Sequence, residues 1–197
     1  MIYSKPLLAL ASVFTLASSR SHARTAEELE PWQVSRMTTF SPSGRPGSSK
    51  FANTYAIITN PGSNPANGDT MFGPSRANCT AEWTWLEDEP YGQIFPCDTA
   101  QNETSTTVAK WTMEIIEVAN STQFSPTENF DVKFTLTQTI KEDSESRGEA
   151  TSKTYEGTEH FELGVNMRGS CGGSGVCSWS LDQEKIPILI HQKLLGS

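Results

Sequence analysis

The sequence has 197 residues, 15 Lys and Arg against 23 Asp and Glu, and a net charge of −8. This length suits one domain of ordinary size, and an acidic chain without a basic cluster is a poor partner for nucleic acid or an anionic membrane surface. Its 23 serines and 22 threonines favour solvated β-structure over helices, because threonine packs well on a pleated sheet and serine competes with the helical backbone.

The amino-terminal residues predict a secretory signal peptide. Lys5 precedes an apolar run over residues 7–16, and small residues follow it. This is the layout of a cleaved leader, and the run is too short to anchor the chain in a bilayer. Small residues would allow cleavage between residues 19 and 23. We predict a signal peptide over residues 1–23, a tail over 24–31 and one secreted, extracellular domain over 32–197.

The mature sequence reads as short strands separated by turns, with no internal repeat. The predicted strands cover residues 32–40, 53–59, 79–85, 92–95, 111–118, 130–140, 160–165, 176–181 and 186–191. Short strands with turn-rich connections are typical of antiparallel architectures. We therefore expect an all-β fold: a single antiparallel β-barrel or sandwich of about nine strands.

Two strands carry the clearest patterns. From Phe130 to Leu136 apolar residues alternate strictly with polar ones, which predicts a strand with one buried and one wet face. In the strand at 111–118 the alternation changes phase at Ile115 and Ile116, which predicts a β-bulge there.

Two long polar turns are the first candidates for contact with a partner. They cover residues 41–49, with the sequence SPSGRPGSS, and residues 60–69, with the sequence NPGSNPANGD. Binding residues are often found on loops held by a rigid scaffold. The acidic run Glu87, Asp88 and Glu89 lacks the spacing of a calcium loop and is interpreted as a solvated turn.

Four cysteines, an even number in a secreted chain, predict two disulfides. Three connectivities are possible. Proximity in the sequence favours Cys79 with Cys97 and Cys171 with Cys177, because each bridge would close a short polar loop between two strands. No histidine lies beside either pair, and no C-x-x-C spacing occurs, so we predict no metal site and no cofactor.

Three Asn-x-Ser/Thr motifs are candidate glycosylation sites, at Asn78, Asn102 and Asn120. Asn102 and Asn120 lie in polar, turn-like sequence, which favours them as acceptors. Asn78 directly precedes Cys79, and a disulfide at that position would hinder the modifying enzyme.

Two alternative functions follow from other residue types. A cell-wall carbohydrate-binding module would need tryptophans exposed in a row, but Trp83, Trp85, Trp111 and Trp179 all share a strand face with apolar residues, which predicts that they are core. A secreted hydrolase or oxidase would need His160 or His191 in a pocket. No G-x-S-x-G motif accompanies them, and His160 is expected at the surface beside Glu162.

Several segments together resemble a known family. They are Trp-Gln-Val at 32–34, the loop SPSGRPGSS, the segment CTAEWTW, the run GTEHFELGVNMRGSCGGSGVCSWSL and the final strand IPILIHQ. In these, residues 32–192 resemble the fungal hypersensitive-response-inducing effectors, distant relatives of the Alternaria major allergen. The resemblance implies a secreted β-barrel with the same two disulfides and no enzymatic activity.

The resemblance also implies a place of action and a partner. It indicates a fungal effector, or elicitor, that acts in the plant apoplast, binds a host extracellular protein and triggers defence or cell death. Some members bind pathogenesis-related proteins of the thaumatin-like type. The allergen has a further cysteine that links two subunits, and this chain has no fifth cysteine. We therefore expect a monomer or a non-covalent dimer.

Overall fold

The computed structural model describes residues 29–100, 106–118, 125–140 and 151–196. In these ranges the chain forms strands and one short 3₁₀ helix, Gln183–Lys185. The strands are β1 (Trp32–Ser41), β2 (Phe51–Asn60), β3 (Asn64–Asn67), β4 (Thr70–Phe72), β5 (Ser75–Thr84), β6 (Ile94–Thr99), β7 (Thr107–Ile116), β8 (Asn129–Ile140), β9 (Ser152–Glu162), β10 (Met167–Cys171), β11 (Cys177–Leu181), β12 (Ile188–Ile190) and β13 (Lys193–Leu194). The predicted all-β class is confirmed. The predicted signal peptide lies outside the described residues.

The described strands outnumber the predicted ones. Each of the nine predicted strands has a counterpart, but β3, β4, β10 and β13 were not expected. These four strands are between two and five residues long, too short to display an alternation that could be recognised in the sequence.

Eleven strands form one antiparallel sheet that curls into a half-barrel. The strand order is β10-β11-β1-β2-β5-β6-β7-β8-β9-β13, and β12 pairs with β1. The remaining two strands, β3 and β4, form a separate hairpin. Because β12 pairs with β1 and β13 pairs with β9, the carboxy-terminal segment connects two strands that are distant in the sheet order.

The inner face of the curled sheet holds the hydrophobic core. In β8 the side chains of Phe130, Val132, Phe134 and Leu136 are fully buried and their polar neighbours are half-buried, as the alternation predicts. The indole of Trp111 meets that of Trp32 edge to face, with ring centroids 4.7 Å apart.

The predicted β-bulge at Ile115 and Ile116 is wrong. Pairing between β7 and β8 runs without a break to Ile116 opposite Asp131. Ile116 lies half-buried as the last residue of its strand, and Val118 lies beyond that end, so the second apolar phase needs no inserted residue. Register shifts occur elsewhere in the described strands, between Val34 and Arg36 of β1 and between Pro65 and Asn67 of β3.

Polar contacts close both ends of the half-barrel. At the end where β2 finishes, buried Asn64 of the β3–β4 hairpin donates to the side-chain carbonyls of Gln138 and Gln192, both at 3.1 Å. At the opposite end the hydroxyl of buried Thr39 donates to the backbone carbonyl of Thr127 over 2.7 Å. Buried polar groups need such partners. These contacts therefore hold the β3–β4 hairpin and the turn that contains Thr127 against the half-barrel.

Candidate functional site

The two disulfides join neighbouring antiparallel strands. Cys79 of β5 is bonded to Cys97 of β6, and Cys171 of β10 is bonded to Cys177 of β11. In each case the two cysteines are also directly opposite each other in the strand register. The pairing favoured by sequence proximity is confirmed, and disulfides of this kind indicate an oxidising compartment.

The three candidate glycosylation sites differ in what the structure describes. Asn78 lies exposed on β5, between Ile57 of β2 and Asp98 of β6 in the register. Asn102 and Asn120 lie outside the described residues. An exposed side chain is compatible with modification, and use of Asn78 stays a prediction.

His160 lies between two carboxylates on the surface of β9. Its Nδ1 atom is 2.8 Å from the Oδ1 atom of Asp131, and its Nε2 atom is 3.3 Å from the Oε2 atom of Glu162. Burial lowers the pKa of His160, but the hydrogen bonds and charges of the two carboxylates outweigh this, so the pKa is raised. With both ring nitrogens bound to carboxylates, His160 forms an ion-pair cluster and leaves no ring nitrogen for a substrate.

His191, the second candidate base, is exposed beyond the end of β12. Within the described ranges, His, Cys, Asp and Glu side chains form no group of three or more that could bind a metal ion. The same ranges contain no helix with the length and apolarity to span a membrane.

Four of the five tryptophans are in the core. Trp32, Trp83, Trp111 and Trp179 are buried, in agreement with the strand pattern for the last three. Trp85 differs because it follows the end of β5: it packs partly against the core and is half-buried. One side of this indole is therefore available at the surface.

Trp85 lines a surface groove between two connections of the barrel. One wall is the loop at residues 44–50, and the other is the turn at residues 84–87. We call this the Trp85 groove. Its volume is about 390 Å³, within the range of about 300–1,000 Å³ that is usual for ligand sites in proteins.

The loop wall is ordered by its own backbone and serine side chains. The amide of Ser48 donates to the carbonyl of Arg45 over 3.0 Å, and the amides of Ser43 and Arg45 donate to serine hydroxyls. The amide of Trp85 donates to the carbonyl of Lys50 over 2.8 Å, which joins the two walls. The groove is therefore preformed, so a partner need not order the loop on binding.

Leu86 is the most unusual residue of the groove. Its φ angle is +66°, and in the described part of the chain no other residue with a side chain has a positive φ. The left-handed conformation costs such a residue about 1–2 kcal/mol. Leu86 is nevertheless 79% exposed, so its side chain gains little from burial. Backbone strain of this kind is concentrated at functional sites.

The groove also carries charges at its two walls. Arg45 and Lys50 are on the loop wall, and Glu87 is on the turn wall. No ion pair within the described ranges includes any of the three, whereas Lys133 pairs with Glu114 on the sheet surface. These groups are therefore available to a partner.

The sequence predicted one wall of the groove and missed the other. The loop at 41–49 was a candidate contact segment, and it forms most of the first wall. The turn wall was missed, because Trp85 was interpreted as core and Glu87 as part of a solvated turn. The second candidate segment, 60–69, forms much of the β3–β4 hairpin instead. Its Asn64 and Ala66 are buried, and its exposed residues are Ser63 and the tip at 67–69.

Comparison of the chain with protein families, with curated proteins and with solved structures finds no match.

Proposed function

We propose that this protein is a secreted fungal effector that binds a host extracellular protein in the plant apoplast and triggers defence or cell death without catalysing a reaction. The observation that carries the proposal is Leu86, a large apolar side chain held 79% exposed on a left-handed backbone. Exposed apolar side chains at a preformed groove favour recognition of another macromolecule.

The remaining surface chemistry supports binding over catalysis. His160 is occupied by Asp131 and Glu162, and His191 is exposed. An acid–base mechanism needs a titrating group within reach of a bound substrate, and neither histidine lines the Trp85 groove. A carbohydrate-binding module would present several aromatic rings in a row, but Trp85 is the one partly exposed tryptophan.

The extracellular location rests on two features. The two disulfides indicate an oxidising compartment, and the first 23 residues have the layout of a secretory leader. The resemblance of residues 32–192 to the hypersensitive-response-inducing effectors supports the plant host and a partner of the thaumatin-like type.

The test is infiltration of the purified secreted protein into leaf tissue, with cell death and defence-gene induction as readouts. Immobilised protein is then used to capture partners from apoplastic fluid, with a purified thaumatin-like protein as the first named candidate. We expect a response and a saturable partner. A chain that elicits no response and captures no partner would overturn the proposal.

A matched variant separates binding from catalysis. The double substitution His160→Ala and His191→Ala removes the two candidate bases of the mature domain and leaves the Trp85 groove unchanged. We expect the leaf response to survive in this variant. Loss of the response with an intact fold, checked by circular dichroism, would favour a hydrolase or oxidase instead.

A further inference from the structure

We propose that the Trp85 groove binds an extended peptide segment of the partner protein, which presents an apolar side chain to Trp85 and Leu86 and a carboxylate to Arg45 and Lys50. This inference rests on the proposed function and specifies the partner's chemistry. It depends on three independent observations: the strained leucine, the uncommitted charges and the order of the loop wall.

The apolar part of the site is the surface shared by Trp85 and Leu86. Both side chains lie over Gly44 of the loop wall: a Cβ on that glycine would be 3.1 Å from the Cδ1 atom of Leu86 and 3.9 Å from the Cδ1 atom of Trp85. A glycine at this position, with φ +69°, lets the loop approach the two side chains closely. An apolar side chain of a partner would cover Leu86 and remove it from water.

The charged part of the site determines the sign of the charge that the ligand must carry. Arg45 and Lys50 line the same wall of the groove in a chain whose net charge is −8. Neither is part of an ion pair within the described ranges, unlike Lys193, whose Nζ atom is 2.7 Å from the Oε1 atom of Glu156. A carboxylate of the partner supplies the missing counter-charge.

Glu87 makes the turn wall negative where the loop wall is positive, which sets the orientation of a bound segment. It lies on the turn wall, opposite the two cations, so a carboxylate near Glu87 would be repelled while one near Arg45 is attracted. A segment with an acidic residue on one side of its apolar residue therefore fits in one orientation. This asymmetry is expected of a site that selects a particular sequence.

Leu86 favours a peptide over an acidic polysaccharide. A uronate polymer could stack a ring on Trp85 and pair its carboxylates with Arg45 and Lys50. Its hydroxyl-rich surface would remove less of Leu86 from water than an apolar side chain of a peptide does, so it would use Leu86 poorly. A peptide with an apolar and an acidic residue can contact Trp85, Leu86, Arg45 and Lys50 at once.

The test uses a phage library of random twelve-residue peptides, selected on immobilised wild-type protein. We expect the selected peptides to share an Asp or Glu close to a large apolar residue. The double variant Arg45→Glu/Lys50→Glu is expected to bind these peptides at least tenfold more weakly, and selection on it to enrich peptides with Lys or Arg instead.

A matched control removes the same two residue types from elsewhere on the barrel. Arg76 of β5 and Lys110 of β7 are exposed and do not line the groove, so Arg76→Glu/Lys110→Glu changes the net charge equally. This variant is expected to bind the selected peptides as wild type does. Equal loss of binding in both double variants would show that only net charge matters and would overturn the inference.

Other outcomes also overturn it. They are failure of the library to enrich, selected peptides without an acidic residue, and displacement of wild-type binding by polygalacturonate but not by an acidic peptide. A leaf response that persists in Arg45→Glu/Lys50→Glu would reject the groove as the docking site while leaving the proposed function intact. A wild-type protein without response or partner would instead reject the proposed function, whatever the peptides show.

Discussion

Gly157 of β9 lies against Ile190 of β12 so closely that a Cβ on the glycine would be 2.7 Å from the Cγ2 atom of the isoleucine. The same Cβ would be 3.0 Å from the backbone oxygen of His191 and 3.2 Å from the ring of Trp32. Strands β1, β9 and β12 therefore meet at one point, where only a residue without a side chain fits. This seam joins the carboxy-terminal segment to the barrel.

Gly157→Ala is expected to destabilise the protein by about 1–3 kcal/mol, the usual effect of overpacking a filled site. Urea unfolding monitored by tryptophan fluorescence measures this change. Gly73→Ala is the matched control, because a Cβ there meets nothing within 4 Å. If Gly157→Ala were as stable as Gly73→Ala, β9 and β12 could move apart to accept a methyl group without loss of stability, and the prediction would be wrong.

Replacement of Leu86 is expected to separate stability from binding. Leu86→Gly relieves the left-handed strain of about 1–2 kcal/mol, which offsets the roughly 0.5–1 kcal/mol of added unfolded-state entropy. We expect unchanged or slightly higher stability, together with weaker binding of the partner. Thermal unfolding and the peptide assay measure the two effects.

Two variants control for the change of backbone. Leu86→Asn keeps a branched side chain that tolerates the left-handed region but removes the apolar surface. This variant should be at least as stable as wild type and should bind the partner as weakly as Leu86→Gly does. Leu189→Gly, at an exposed leucine of β12, should instead lose stability, because glycine is unfavourable in a strand. A destabilised Leu86→Gly protein would mean that Leu86 supports the fold.

More of the fold than of the candidate site could be predicted from the sequence. The alternation from Phe130 to Leu136 identified β8, because a strand with one buried face must alternate. Sequence proximity favoured the correct cysteine pairs, because each pair joins adjacent antiparallel strands. The conformation of Leu86 has no such local signal, since leucine ordinarily avoids positive φ, and its surroundings depend on Gly44, a residue far away in the chain.

The His160 cluster is expected to make stability depend on pH. The raised pKa of His160 means that the folded chain holds the proton more tightly than the unfolded chain. Its contribution is therefore complete below the ordinary histidine pKa of about 6.5 and is lost as the pH rises through the higher folded value. Since the side chain is partly exposed, we expect at most about 1 kcal/mol.

Urea unfolding of wild type and His160→Gln at pH 5.5 and at pH 9 tests this dependence. The free energy of unfolding of wild type should exceed that of His160→Gln by more at pH 5.5 than at pH 9. Glu159, whose pKa is raised by burial, is present in both proteins, so its titration largely cancels. His191→Gln, which removes an exposed imidazole, serves as the control. A difference that grows towards pH 9 would contradict the assignment of Asp131 and Glu162 as partners of the charged ring.

The two disulfides are expected to differ in accessibility to reductant. Cys79 is fully buried and its partner Cys97 half-buried within the sheet, whereas Cys171 is exposed on the edge strand β10 and its partner Cys177 is half-buried on β11. Thiol–disulfide exchange requires direct access to sulfur. Mild reduction of the folded protein, followed by alkylation and mass spectrometry, should therefore label Cys171 and Cys177 first.

Loss of the Cys171–Cys177 bridge should affect the groove more than it affects the fold. Its six-residue separation predicts a contribution to stability of about 2.4 kcal/mol in the loop-entropy model, against about 3 kcal/mol for Cys79–Cys97.

Gly175 in this loop lies beside Ser43, whose Cβ is 3.5 Å from the position of a Cβ on the glycine. The hydroxyl of Ser43 in turn accepts a hydrogen bond from the amide of Arg45. Cys171→Ser/Cys177→Ser should therefore remain folded but bind the selected peptides more weakly. Unchanged peptide binding would show that the loop wall is ordered without the bridge.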